Sequence, residues 1–127
     1  MALDRMVKKL LFIEDELYVI ERVCQMVKKY EDIKIEHVSD AKVAREKLLL
    51  LPYDIVITDA FIYGLTALEV NKLAHDKNPD VCVIVICQNS TMDIASKSIK
   101  EGAFDYVLKP QDIEKIESLL KLYFLAR

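Results

Sequence analysis

Short apolar runs rich in β-branched residues alternate along this chain with longer stretches whose apolar positions recur at helical spacing. Leu10-Leu11-Phe12-Ile13 reads as a first strand. Leu17, Ile20, Cys24 and Val27 then mark one face of a helix predicted over about Glu16 to Tyr30. Ile33 to Val38 alternates with period two, as a half-buried edge strand does, and Ser39-Asp40 offers N-caps to a second helix with Ala41, Ala44, Leu48 and Leu51 inward. Pro52 stops that helix, and a third strand is predicted from Tyr53 to Thr58. A loop containing Gly64 leads to Thr66-Ala67-Leu68-Glu69, a capping box opening a third helix that ends before Asn78-Pro79. Val81 to Ile86 is the most apolar run and reads as a central strand buried on both faces. Ser90 to Asp93 is a second capping-box candidate, for a helix closed by Gly102. Tyr106-Val107-Leu108 is a short fifth strand, and a last helix runs from about Asp112 to Phe124.

Five β/α units with no linker and no recurring motif favour a doubly wound α/β fold, a five-stranded parallel sheet with helices on both faces, over a solenoid. The 127 residues are read as one domain, 1–127, long enough for a sizeable core. A net charge of -3 argues against a direct nucleic-acid surface, and no apolar stretch approaches a bilayer span. Met1 to Met6 lacks the features of a signal peptide. Cys24, Cys82 and Cys87 show no CxxC spacing, and Cys82 and Cys87 point to opposite faces of one strand; free thiols predict a cytoplasmic protein.

Charge enters the picture at the strand ends. Glu14 and Asp15 close the first strand, Asp59 the third and Lys109 the fifth. In a parallel sheet these groups converge at the carboxyl edge, where open α/β folds bind their ligands. One acidic residue after a strand commonly does no more than end it in solvent; four ionisable groups at three strand ends favour a shared site. Adjacent carboxylates with a third across the pocket suit Mg²⁺, which prefers oxygen ligands. A carboxylate beside such a metal, with a lysine to neutralise charge, suits phosphoryl transfer.

The pattern resembles a response-regulator receiver domain over essentially the whole chain. Glu14-Asp15-Glu16 resembles the acidic cluster after the first strand, and Tyr53 to Asp59 resembles the segment ending in the phosphoacceptor. Gly102 to Pro110 resembles the family's most specific stretch, in which the peptide bond before proline is usually cis. The resemblance implies a flavodoxin-like strand order 2-1-3-4-5. It implies that Asp59 accepts a phosphoryl group from a histidine kinase or phosphotransfer protein. Asp15, Asp59 and the backbone carbonyl of Phe61 would bind Mg²⁺, with Glu14 acting through water. Lys109 would pair with the phosphoryl group, and Tyr106 would be an aromatic switch. No enzyme in the ordinary sense is implied, only slow self-phosphorylation and self-dephosphorylation, with output through the fourth helix, fifth strand and fifth helix.

Departures from the pattern open a second reading. Cys87 stands where the family usually places Ser or Thr, and a thiol is a weak donor. Ile62-Tyr63 and Ala67 replace the usual Met-Pro and Gly; Gly64 is a candidate for the left-handed turn, and Phe61 with Asn89 sits where phosphoaspartate lifetime is tuned. The alternative is therefore a receiver-like interaction module with weakened or absent switching. A flavin module would need a phosphate loop where Glu14-Asp15-Glu16 stands, and an aspartyl phosphatase an acid where Phe61 stands. The helix after Cys87, with Ser96, Lys97, Ser98 and Lys100 and a thin stripe of Ile94, Ala95 and Ile99, is expected to be weakly anchored. The last helix carries more apolar residues than one core face requires, from Ile113 to Leu125, and with its predecessor offers a homodimer surface. Thr66 and Ser90 read as caps, and His37 and His75 as surface residues.

Overall fold

Five parallel strands form one twisted sheet in the computed structural model, which describes residues 7–125 and, of Phe124 and Leu125, the backbone alone. The elements are β1 (Lys8–Ile13), α1 (Leu17–Lys28), β2 (Ile33–Val38), α2 (Ala41–Leu50), β3 (Ile55–Asp59), β4 (Phe61–Ile62), β5 (Leu65–Thr66), α3 (Ala67–Lys77), β6 (Cys82–Cys87), α4 (Met92–Lys100), β7 (Asp105–Leu108) and α5 (Lys115–Leu125). The main sheet has the order β2-β1-β3-β6-β7. With the two-stranded hairpin β4-β5 set aside, that is the expected 2-1-3-4-5. The start of the chain, read above for targeting, and the side chains of Phe124 and Leu125 lie outside the described residues.

The sheet divides the core in two. Leu11, Ile13, Val56, Val83, Val85 and Cys87 face α2, α3 and α4, where Leu48, Val70 and Ala95 meet them. Leu10, Phe12, Ile57, Cys82, Ile84 and Ile86 face α1 and α5, where Val19, Val23, Ile116 and Leu120 meet them. All six residues of β6 are buried, as its unbroken apolar run predicted. Each fully buried Val, Leu or Ile stabilises the fold by about 1.5–3 kcal/mol relative to an exposed one. No helix among the described residues is long and apolar enough to cross a membrane.

Several local expectations are corrected. The inward stripe of α1 is Val19, Val23, Met26 and Val27, whereas Leu17 is 66% exposed and Ile20 and Cys24 lie on the flank. Residues 17–20 are all apolar, so helical spacing alone accommodates either of two adjacent stripes; Leu17, in the opening turn, stays in solvent. Leu51 is a C-cap residue rather than a core one. Ser90 does not cap the fourth helix. Instead a 3-10 turn over Asn89–Thr91 precedes it, in which the Gln88 N–H donates to the Thr91 hydroxyl at 3.0 Å. Ser98 is buried, its hydroxyl donating to the Ile94 carbonyl at 2.9 Å, which lets a polar residue face the core. The segment from Asp112 turns before α5 begins at Lys115, and Leu122 is the large apolar side chain that α5 leaves exposed among the described residues.

Other caps hold. Asp40 accepts from the Val43 N–H at 3.0 Å and Thr66 from the Glu69 N–H at 3.4 Å. Gly102 after α4 has φ +109°.

Candidate functional site

The parallel register of β1, β3 and β6 brings their carboxyl ends to one edge, and β7 runs directly into Lys109 beside them. There the Lys109 ammonium donates to Glu14 Oε2 and to Asp59 Oδ2, each at 2.8 Å, and pairs with Glu16 Oε1 at 3.1 Å. Glu14, Asp59 and Lys109 are buried, while Asp15 and Glu16 are exposed at the mouth. Carboxylate oxygens of Glu14, Asp15 and Asp59 lie within 4.8 Å of one another.

Backbone contacts fix these side chains. The Phe61 N–H donates to Asp59 Oδ1 at 3.3 Å, and the Glu16 N–H to Glu14 Oε2 at 3.2 Å. The Lys109 N–H donates to the Cys87 carbonyl at 2.9 Å, and the Lys109–Pro110 peptide is cis, as expected. His37, an exposed residue, bonds the Glu14 carbonyl through Nε2 at 2.9 Å.

The electrostatics follow from crowding. Burial and then the charge of Asp59 push the Glu14 carboxyl up to about 7, against the opposing pull of Lys109. Burial works to lower Lys109, but its hydrogen bonds to Asp59 and Glu14 outweigh that and the ammonium is held above its ordinary range. Glu14 Oε1 is buried with no hydrogen-bond partner, an acceptor left unsatisfied at a desolvation cost. An all-oxygen donor set, an uncompensated negative charge and that orphaned oxygen fit a hard divalent cation.

The remaining candidates sit close by. Cys87 is fully buried at the end of β6, and burial, then the nearby Asp59 charge, raise its thiol to about 11. It is therefore a neutral thiol, not an activated thiolate. Tyr106 is half-buried on the α4 face of the sheet. Phe61 opens β4, 48% exposed, and Tyr63 stands almost wholly in solvent at the hairpin tip beside Gly64, whose φ is +87°.

Two residues had been given no role at the site: Glu16, named there only within the acidic cluster, and Arg45. Glu16 belongs to the Glu-Asp-Glu triplet, which was signal enough. Arg45 of α2 makes a two-pronged ion pair with Glu69, at 2.6 and 2.9 Å, and donates to the Gly64 carbonyl at 2.6 Å, tying the hairpin to two helices. No sequence spacing links these three.

The family model described as "Response regulator receiver domain" matches residues 10–121. The chain belongs to that family. Among curated relatives of this receiver domain, the response regulator ArlR of Staphylococcus epidermidis is 29% identical over 107 residues, covering 84% of this chain and 48% of the relative. The response regulator protein PilR of Pseudomonas aeruginosa is 30% identical over 81 residues, covering 64% of this chain and 18% of its own. The chain thus spans half or less of the length of these relatives. In fold it is similar to the response regulator DrrB of Thermotoga maritima, with a TM-score of 0.80 at 17% identity over 95% of this chain and 54% of that one. A receiver domain from Clostridium thermocellum gives 0.75 at 21% identity, covering 94% and 96% of the two chains. As a receiver domain the chain is a signalling module rather than an ordinary enzyme.

Proposed function

We propose that this receiver domain is a phosphorylation switch, with Asp59 accepting a phosphoryl group from a histidine kinase or phosphotransfer protein. An Asp59 carboxylate oxygen attacks phosphorus, the phosphorus–nitrogen bond of the donor phosphohistidine breaks, and its imidazole departs as an acyl phosphate forms. Asp15, Asp59 and the Phe61 carbonyl would hold Mg²⁺, with Glu14 acting through water; when bound, the cation neutralises charge on the transferring phosphoryl oxygens. Lys109 moves from its carboxylates to the phosphoryl group, and the Phe61 N–H orients Asp59 before attack. The observation that carries this reading is the convergence of Glu14 and Asp59 on one buried ammonium at the sheet's carboxyl edge.

Output is expected through α4, β7 and α5, with Tyr106 as the moving aromatic and a homodimer through the last two helices as one form of that output. The domain would act in the cytoplasm with no direct nucleic-acid contact of its own, and turnover would be limited to slow self-phosphorylation and self-dephosphorylation. The test is incubation with acetyl phosphate and Mg²⁺ followed by intact mass measurement. A phosphoryl adduct is expected in the native chain and none in Asp59→Asn. Absence of any adduct, together with no spectral response to beryllofluoride, would sink the proposal.

A second reading turns on one residue. Cys87 offers a neutral, buried thiol where a hydroxyl would bond the phosphoryl oxygen, so phosphorylation would be only weakly relayed to α4. A module that binds partners regardless of phosphate would keep full partner affinity in Asp59→Asn; loss of binding in that folded variant rejects it.

A further inference from the structure

An ammonium has three N–H donors, and Lys109 directs its charge at three carboxylates: Glu14, Asp59 and Glu16. Two of these belong to the oxygen cluster that fits a cation. Glu16 does not. It lies at the mouth, half exposed, and its own backbone N–H is bonded to Glu14, which fixes its distance from the buried pair. The Lys109 side chain is 6% exposed, so its stem is enclosed and its ammonium is confined to the neighbourhood of these three groups.

We propose that Glu16 is a positioning residue that takes over Lys109 when a cation engages the other carboxylates. This rests on the reading of the site as a Mg²⁺-assisted phosphoacceptor. A divalent cation and an ammonium repel each other and compete for the same oxygens of Glu14 and Asp59. Without Glu16, every carboxylate that the Lys109 ammonium pairs with among the described residues is one the cation would also engage, and the ammonium opposes metal entry. With it, Lys109 pivots toward the mouth, stays paired, and remains beside Asp59 on the side from which a phosphoryl group arrives.

The rival account is that Glu16 merely adds negative charge to the site, and it is separable because that effect would not pass through Lys109. The experiment is calorimetric titration of Mg²⁺ into the intact chain, Glu16→Gln, Lys109→Met and the double variant, with Glu21→Gln as an exposed-acid control on α1. Glu16→Gln is expected to fold normally and to weaken Mg²⁺ binding by about tenfold, the low end for residues that orient a metal site's ligands. In the Lys109→Met background the same substitution is expected to change affinity by less than about twofold, because the residue it acts through is gone. Equal losses in both backgrounds, or no loss in either, overturn the proposal. If Lys109→Met does not fold, the Lys109 ammonium signal in ¹⁵N NMR decides. Under saturating Mg²⁺ it should persist in the native chain and broaden away in Glu16→Gln, and identical signals overturn the proposal. A native chain that binds no Mg²⁺ removes the underlying site, and this role with it.

Discussion

Replacing Lys109 by Met removes the one cation that two buried carboxylates share while keeping a side chain of similar length. Glu14 and Asp59 then face each other with no counter-charge, 0% and 8% exposed in their side chains. Removing one partner from a buried ion pair costs about 3–5 kcal/mol. That is a large share of the roughly 6–19 kcal/mol expected for a chain of this size. In urea it lowers the midpoint by roughly 2 M. The escape route is protonation of Glu14, whose carboxyl already titrates near 7 and climbs further once Lys109 no longer pulls it down. A folded-state carboxyl above its unfolded value binds a proton that the unfolded chain releases; in the variant Glu14 does so from a higher pH than in the native chain, so the variant gains on the native chain as pH falls to about 7 and the two run parallel below it. The loss should therefore be greatest at about pH 8 and shrink toward about pH 7, by at most one proton's worth per pH unit. Mg²⁺ should shrink it as well, since a bound cation supplies the missing charge and stabilises by mass action. Urea melts at the two pH values, with and without Mg²⁺, measure all three effects. A loss under about 1 kcal/mol at pH 8, or one that grows as pH falls, refutes the electrostatic account of the site.

The Cys87 thiol should stay unreactive toward Ellman's reagent at about pH 8 until the chain is unfolded, while partly exposed Cys24 reacts slowly. With an ordinary value near 9 and a folded one near 11, Cys87 should also make stability fall as pH rises between them, by up to about 2–3 kcal/mol, a slope missing from Cys87→Ala. Gly64→Ala should cost about 1–2 kcal/mol in thermal or urea melts through backbone conformation, since φ is +87° and the added Cβ would rest at an ordinary 3.6 Å from Ala41. Arg45→Met should loosen the hairpin that carries Phe61 and weaken Mg²⁺ binding in calorimetry. The loss should fall below the roughly tenfold typical of buried supporting residues, because the Arg45–Glu69 pair is more than a third exposed.

Strands were legible because their chemistry is local: Val81 to Ile86 has nowhere to go but the middle of a sheet, and Asp59 and Lys109 interrupt apolar runs at one residue. The convergence of Glu14, Asp59 and Lys109 followed from parallel strand ends and needed no knowledge of loops. What escaped depends on angles rather than on composition. The choice between the Leu17–Ile20–Cys24 stripe and the Val19–Val23–Met26 stripe turns on a rotation of α1 by part of a turn, which both patterns satisfy. Ser98 looks polar in sequence, yet its hydroxyl finds the Ile94 carbonyl and the residue goes inside. Arg45 reaches Gly64 and Glu69 across 19 and 24 residues, a relation set only by the packing of α2 on α3.

The sheet also works as a partition. Cys87 and Tyr106 point to the side of α2, α3 and α4, while Cys82 and Val107 point to the side of α1 and α5. A rearrangement begun at Cys87 therefore stays within the half of the core that holds Ala95 of α4, but reaches α1 only through a layer of paired backbone that does not yield one side chain at a time. It also gives the molecule a built-in reference: a dye on Cys24 reports on α1 alone, and a second dye on α4 can be read against it.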